Sequence, residues 1–492
     1  MFDKIKSLLS HTLVYGVGNS GNRFVGFLLI PLYTRYLTPA DYGVLSLVGL
    51  LGQILFVVMS LGQGTAVFRT YFNHDNPDRR NTVITTSLWL ILLGSFPIAL
   101  LTIALNKPLT IALTGKPDFT VWVMLGTLGV ALKAILRLPF AVLRAREQSW
   151  RYTIWSFVQT LSSLVLAIVF VALLHLGGEG VLLSQLLAEL IVCLYLVPAT
   201  VQGLSLKFSR ADAWDMLGYG AYQIPMALFS FLLHMADRYF LKHYSSLRAV
   251  GLYSLGYRFG EVLAIAIMAF SLAWYPFLFQ HLKDKNAPAL YARVCTYFTA
   301  VMGLLWLVIS LFSREAIAIM ARPAFHEAYQ VVPWIAGAFF FQALANSWSV
   351  GVILHRKVKR RPAVLAAATA VNLLLCYLLV PRYEMLGAAA AGLLSFFCWF
   401  VLQAMVAQKL YPIPYEWGRL IRLSIVGIAV YLIGNEIPWS SIWTALAGKT
   451  VLVMSTPLLL YATGFFGPGE LAQARRSLNL STGLAFVRGG RK

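Results

Sequence analysis

HTLVYGVGNSGNRFVGFLLIPLY, residues 11–33, followed by the turn TRYLTPAD, residues 34–41, decides the fold class. The stretch has the length of a bilayer crossing, since about 20 apolar residues rising 1.5 Å each span the hydrocarbon core. Yet Asn19, Asn22 and Arg23 stand at its middle. Arg23 is about a dozen residues, or about 18 Å, from either end, too far for easy snorkelling. A central Arg costs at least about 2.5–3.5 kcal/mol on insertion scales, so it should face a watery cavity or a partner. Asn19, Asn22, Arg23 and Gly26 fall at i, i+3, i+4 and i+7 and share one helix face.

The whole chain repeats this apolar character. Of 492 residues, 59% are hydrophobic and 12% charged, and mean hydropathy is +0.72. A soluble domain carries about 25% charged residues, so the composition is that of a polytopic membrane protein. Apolar segments fall near 11–33, 42–66, 83–105, 120–142, 152–174, 181–203, 216–241, 250–279, 293–313, 329–354, 362–380, 386–408, 419–437 and 443–464, which predicts about 14 transmembrane helices in an all-α fold. The net charge of +21 is unevenly spread. Roughly two thirds of the Lys and Arg sit in alternate loops, which is the positive-inside asymmetry and puts both termini in the cytoplasm. Arg79/Arg80, Arg144/Arg146/Arg151 and Arg356–Arg361 mark those loops. The charge therefore reports topology rather than nucleic-acid binding. A multi-pass plasma-membrane protein, in a bacterial inner membrane, is expected. Met1–Ser10 is a short basic lead-in with no small-residue cleavage site behind it, so no cleavable signal peptide is expected.

Two strings recur. RYL (35–37) precedes YGVLSL (42–47), and RYF (238–240) precedes VGLYSL (250–255); Tyr15-Gly16 also matches Tyr219-Gly220. Both copies begin on the same side, so the repeat is parallel, with six segments in each copy. This divides the chain into an N-terminal lobe (1–207), a C-terminal lobe (208–410), two extra C-terminal helices (411–464) and a basic cytoplasmic tail (465–492).

IPLYTRYLTPADYGVLSLV (30–48), ADRYFLKHYSSLRAVGLYSLGYRF (236–259) and FSLAWYPFLFQ (270–280) resemble the signatures of the polysaccharide and O-antigen flippases of the multidrug/oligosaccharidyl-lipid/polysaccharide exporter superfamily. The resemblance covers the whole chain in segment count and order, and its specific strings cover about a ninth. It implies two six-helix lobes around a V-shaped cavity. It also implies a monomer that moves an undecaprenyl-pyrophosphate-linked oligosaccharide across the membrane by alternating access, with membrane lipids and polysaccharide polymerase machinery as partners.

Against that background Arg23, with Asn19 and Asn22, is a candidate for gripping pyrophosphate, to which a guanidinium fork is suited. The structural alternative pins Arg23 to helix carbonyls or to a carboxylate such as Glu189. Arg258 is the candidate from the other lobe, with Tyr257 and Glu261 beside it; pairing between Arg258 and Glu261 is the alternative. Lys133 and Arg137, four apart on one face, either reach the cavity or snorkel. Gln53, Tyr222 and Gln223 are polar within segments and serve either as interhelical glue or as sugar contacts. Asp237 and Arg238 are expected to close segment 7 at the outer interface, pairing with each other.

No enzyme chemistry is legible. The histidines are scattered, Cys193, Cys295, Cys376 and Cys398 lack paired spacing, and there is no HExxH and no P-loop. No cofactor is expected, and the energy source is left among membrane potential, sodium ions and protons. A cation-coupled multidrug exporter would call for acidic residues in the first lobe, where Glu189 is the clear candidate. A lipid II flippase is a near neighbour. A polysaccharide polymerase or ligase would need a large outer loop, and the loops here are short.

Overall fold

The computed structural model describes residues 26–354 and 361–467. Asn19, Asn22 and Arg23 therefore lie outside the described residues, as does the tail beyond 467. All regular structure among the described residues is helical, and twelve helices are long and apolar enough to cross a membrane. This follows from the solvent: in lipid a backbone can satisfy its own N–H and C=O groups only within helices or closed barrels.

The first lobe begins with α1 (26–36). The turn behind it is a helix start: Thr38 Oγ1 accepts from Asp41 N, the Asp41 carboxylate accepts from Thr38 N, and Pro39 takes the first helical position. From this cap α2 runs Pro39–Met59 and α3 Gln63–Phe72, separated where Leu61 and Gly62 both take left-handed φ values of 46° and 68°. The lobe continues through α4 (Pro77–Ala104), the short α5 (Asn106–Thr114), α6 (Thr120–Ala145), α7 (Ser149–Ala167, carried on by a widened turn to Leu173) and α8 (Gly177–Val201).

The second lobe opens with α9 (Arg210–Tyr244), followed by α10 (Leu247–Gly260), α11 (Leu263–Gln280), α12 (Ala287–Met320), α13 (Val332–Ser347) and the short α14 (Val350–Leu354). The expected eighth segment is thus broken at Glu261–Val262. Segments 11 and 12 run into one another as α15 (Arg361–Leu410), which turns at Glu384, where φ is 47°. Gly387 lies against the Leu379 carbonyl there, an approach that eight residues of straight helix would forbid. Counting α15 as two crossings and adding the segment that holds α1, each of the fourteen expected segments has a counterpart. The last two helices, α16 (Trp417–Glu436) and α17 (Ile442–Ala462), flank α12.

The two lobes meet where α2 crosses α10. Ser246 caps α10 as Thr38 caps α2, and counting from these caps Gly43 matches Gly251 and Ser46 matches Ser254. The contacts are reciprocal. A Cβ on Gly43 would overlap the Leu247 carbonyl, and a Cβ on Gly251 would overlap the Pro39 carbonyl. Ser254 Oγ donates to Ser46 Oγ at 2.8 Å. Residue i touching j while j's equivalent touches i's is the signature of a two-fold axis, here an internal one. The repeated strings are therefore the residues through which the repeats touch.

The extra helices are fixed by charge as well as by packing. Lys449 Nζ donates to Glu315 Oε1 and to the Leu311 carbonyl, both at 2.7 Å, with both side chains 5% exposed. Leu307, Leu311, Leu423, Val426 and Leu460 form a buried cluster between α12 and the extra helices. Breaking such a pair strands a buried charge, whereas replacing both partners does not. Lys449→Met is expected to cost about 3–5 kcal/mol of stability, and Lys449→Met with Glu315→Leu to recover most of it. Thermal unfolding of the detergent-purified variants checks this.

Candidate substrate cavity between the lobes

Beneath the α2–α10 seam lies a cavity of about 930 Å³, walled by α1, α2 and α6–α8 on one side and by α9 and α10 on the other. Among the described residues three cations reach it: Lys133 from α6, Arg238 from α9 and Arg258 from α10. Their environments differ, and the difference separates structural from available charge.

Arg238 is committed. It is 3% exposed; its Nη1 donates to Asp237 Oδ1 at 3.1 Å and to the His234 carbonyl at 3.0 Å, and its Nε donates across the lobe interface to Ser46 Oγ at 3.0 Å. The Tyr253 hydroxyl donates to the other Asp237 oxygen, and the guanidinium lies 4.3 Å from the centroid of the Tyr257 ring. The expected pairing of Asp237 with Arg238 is present, and the pair is buried against the other lobe rather than open at a surface. α9 continues to Tyr244, two turns beyond them, so they are interior and bind the lobes together.

Arg258 is uncommitted. It does not pair with Glu261, three residues on. It donates from Nη1 to the Gly26 carbonyl of the other lobe at 3.2 Å and stands 5.4 Å over the Tyr42 ring. Among the described residues that is one acceptor for a group with five donors. The Lys133 ammonium, 5.7 Å over the Phe56 ring, has no hydrogen-bond acceptor among the described residues. Glu189 lines the same cavity, held by Gln159 Nε2 at 2.7 Å, and Gln53 and Glu261 line it from the first and second lobe respectively. Counted from the helix caps, Gln53 and Glu261 are equivalent positions of the repeat, so each lobe offers a polar group from the same place.

The other sequence candidates divide. Tyr257 is buried and lines the cavity as the platform under Arg238. Arg137 lies one turn beyond Lys133 on α6 and stacks on the same Phe56 ring at 5.2 Å, but it opens into a second cavity of about 430 Å³. That second cavity also holds Gln223, whose Oε1 accepts from Thr65 Oγ1 of the first lobe at 2.7 Å. Tyr222 is 53% exposed and lines neither cavity. Gly26, which shares a helix face with Asn19, Asn22 and Arg23 by spacing, lines the large cavity.

Gln159 escaped the sequence reading, and the bond of Arg238 to the other lobe goes beyond its expected pairing with Asp237. Gln159 gave no signal beyond being one more polar residue in a span. Arg238 had one: the repeat aligns Asp237-Arg238 with Thr34-Arg35, and only the second copy carries a carboxylate to bury with its Arg. Arg35 is exposed.

Comparison with known proteins adds family and fold. The polysaccharide biosynthesis protein family matches residues 8–282, more than half of the chain. A Haemophilus influenzae protein named for the Lsg locus is 26% identical over 284 residues, covering 56% of this chain and 67% of that protein. Among solved structures, the inward-closed lipid II flippase MurJ superposes with a TM-score of 0.74 at 9% identity, over 92% of this chain and 99% of its own. An inward-facing multidrug transporter of the MATE family superposes with a TM-score of 0.62 at 15% identity, over 79% of this chain and 95% of its own. The chain belongs to the polysaccharide biosynthesis protein family, with a fold shared by flippases and exporters.

The unequal commitment of the two arginines can be measured. Arg238→Ala leaves Asp237 buried without its partner and should cost about 3–5 kcal/mol, whereas Arg258→Ala should cost no more than about 2 kcal/mol. Equal losses in the thermal unfolding of the two purified variants would make Arg258 a structural residue instead.

Proposed function

We propose that this member of the polysaccharide biosynthesis family is a flippase that carries an undecaprenyl-pyrophosphate-linked oligosaccharide from the cytoplasmic to the outer leaflet by alternating access. The observation that carries the reading is the pair Lys133 and Arg258, one from each lobe, facing a shared interior cavity with neither in ion-pair contact with a carboxylate among the described residues, although Glu189 is near enough to interact electrostatically with Lys133. Two unpaired cations are costly in a membrane interior, and a pyrophosphate would repay that cost with charge-assisted hydrogen bonds. Arg23, by its position in segment 1, would join them, and the polyprenyl tail would remain in lipid. Charge asymmetry of the loops puts both termini in the cytoplasm, and the protein acts as a monomer in the bacterial inner membrane beside the polysaccharide polymerase machinery.

The driving force follows from the cargo. Each charge moved across 100 mV is worth about 2.3 kcal/mol, so two negative charges leaving a negative interior gain about twice that, without ATP. Glu189 and Glu261, in the same cavity, favour a second reading: a cation-coupled exporter, in which sodium or protons would occupy these carboxylates. Flux that stops on removing a sodium or pH gradient, with no dependence on a pyrophosphate headgroup, would select it.

The test is reconstitution of the protein with a defined undecaprenyl-pyrophosphate-linked oligosaccharide and an impermeant headgroup probe. Arg258→Gln, Lys133→Gln and Arg23→Ala are each expected to slow flipping by about tenfold or more, roughly the loss of one charge-assisted hydrogen bond, while the exposed Arg35→Gln is silent. Full rates in all three cavity variants would refute the reading.

A further inference from the structure

The second cavity has a different chemistry from the first. Lys133 faces the large cavity and Arg137 the small one, and four residues of helix separate them by about 6 Å, so the two chambers stack along the lobe interface. The small chamber lies toward the helix ends that carry the basic loops: the far halves of α2, α6 and α11, and the near half of α9. Its volume of about 430 Å³ falls within the roughly 300–1,000 Å³ typical of small-ligand sites.

Its lining is aromatic and amide rather than ionic. Trp399 and Tyr275 supply aromatic side chains, and Gln403, Gln223 and Asn346 supply amides, with Arg137 the one charge among the described residues. Gln403 is 3% exposed, and its Nε2 has no hydrogen-bond acceptor among the described residues. Buried amide donors are nearly always satisfied in native proteins, so an unsatisfied one lining a chamber points to an acceptor that arrives with a ligand. Planar amides beside aromatic faces suit a sugar ring, whose hydroxyls both donate and accept and whose C–H faces are apolar. Among the described residues an anion would find a single cation here, already stacked on Phe56.

We propose that the chamber bounded by Trp399, Gln403, Tyr275 and Gln223 is a glycan subsite that seats the sugar nearest the pyrophosphate while the pyrophosphate engages the neighbouring large cavity. This rests on the flippase reading and assigns its two chemistries to two places. Gln403 Nε2 donates to a sugar hydroxyl, Trp399 stacks on the ring, and Arg137 lies one turn from Lys133 over the same Phe56 ring. Binding to the glycan through its first sugar also gives the protein a means of distinguishing loaded from bare lipid carrier.

The experiment measures binding of two probes to the full-length protein in nanodiscs: undecaprenyl pyrophosphate, and undecaprenyl pyrophosphate bearing one N-acetylhexosamine. Gln403→Leu and Trp399→Ala are each expected to weaken the sugar-bearing probe by about tenfold, the worth of one lost hydrogen bond or stacking contact, and to leave the bare probe within about twofold. Trp399→Phe should restore most of the loss. Unchanged binding of the bare probe doubles as the control for folding. Arg258→Gln should weaken both probes alike, which separates the two subsites. Equal weakening of both probes by the Gln403 and Trp399 variants, or of neither, overturns the glycan subsite while leaving the flippase reading intact. Failure of the wild-type protein to bind either probe overturns both.

Discussion

The close crossing of α2 and α10 governs the rest of the structure. Gly43 and Gly251 let two backbones meet where any side chain would collide with the Leu247 or Pro39 carbonyl, and Ser46 and Ser254 bond beside them. In lipid no hydrophobic gradient drives helices together, so association rests on such flat, small-residue surfaces and on a few interhelical hydrogen bonds. Because the contacts are reciprocal, the seam is also the internal two-fold axis. Whatever lies beneath it is lined by matching positions of both lobes, as Gln53 and Glu261 are.

The charges then sort by their distance from that seam. Arg238 joins it: it bonds Ser46, and its burial is offset by Asp237, the Tyr253 hydroxyl and two tyrosine rings. A buried pair of this kind contributes little net stability but is severely missed when halved. Arg258 and Lys133 lie deeper, lean on aromatic rings and a single carbonyl, and keep most of their donors unused among the described residues. Cation–π contacts lower the cost of burial without consuming the N–H groups, so such cations remain able to receive an anionic headgroup. At the other end of the interface Arg69 pairs with Asp215 at 3.2 Å, and Gly62 meets Gly220, so the lobes touch there as well as at the seam.

Much of this fold was legible in the sequence, because a membrane leaves the backbone few choices. Twenty apolar residues must be a helix, and the duplicated caps and strings marked the two lobes. What the sequence left open was the direction in which each polar residue faces. Hydropathy sees Lys133 and Arg137 as one pair, yet one helical turn sends them into different chambers. It sees Asp237 and Arg238 as the end of a span, because the two turns beyond them carry Lys242, His243 and tyrosines that read as interface. It cannot see that Lys449 will meet Glu315 across 134 residues of chain. Facing is decided by which helices pack together, and that depends on side-chain shape rather than on period. The most telling residue of the sequence reading, Arg23, lies outside the described residues, and Gly26 just beyond it reaches the cavity wall and accepts from Arg258.

On the proposed alternating-access reading, the lobes part at the α2–α10 seam to release cargo from the large cavity. Ser46 and Ser254, with their Oγ atoms 2.8 Å apart, are placed for a cross-link. In a background without the four native cysteines, Ser46→Cys with Ser254→Cys should form a disulfide on mild oxidation. Flipping of an undecaprenyl-pyrophosphate-linked oligosaccharide in proteoliposomes should then fall to the protein-free rate and return on reduction. An oxidised, fully cross-linked protein that still flipped its lipid at the reduced rate would contradict the account.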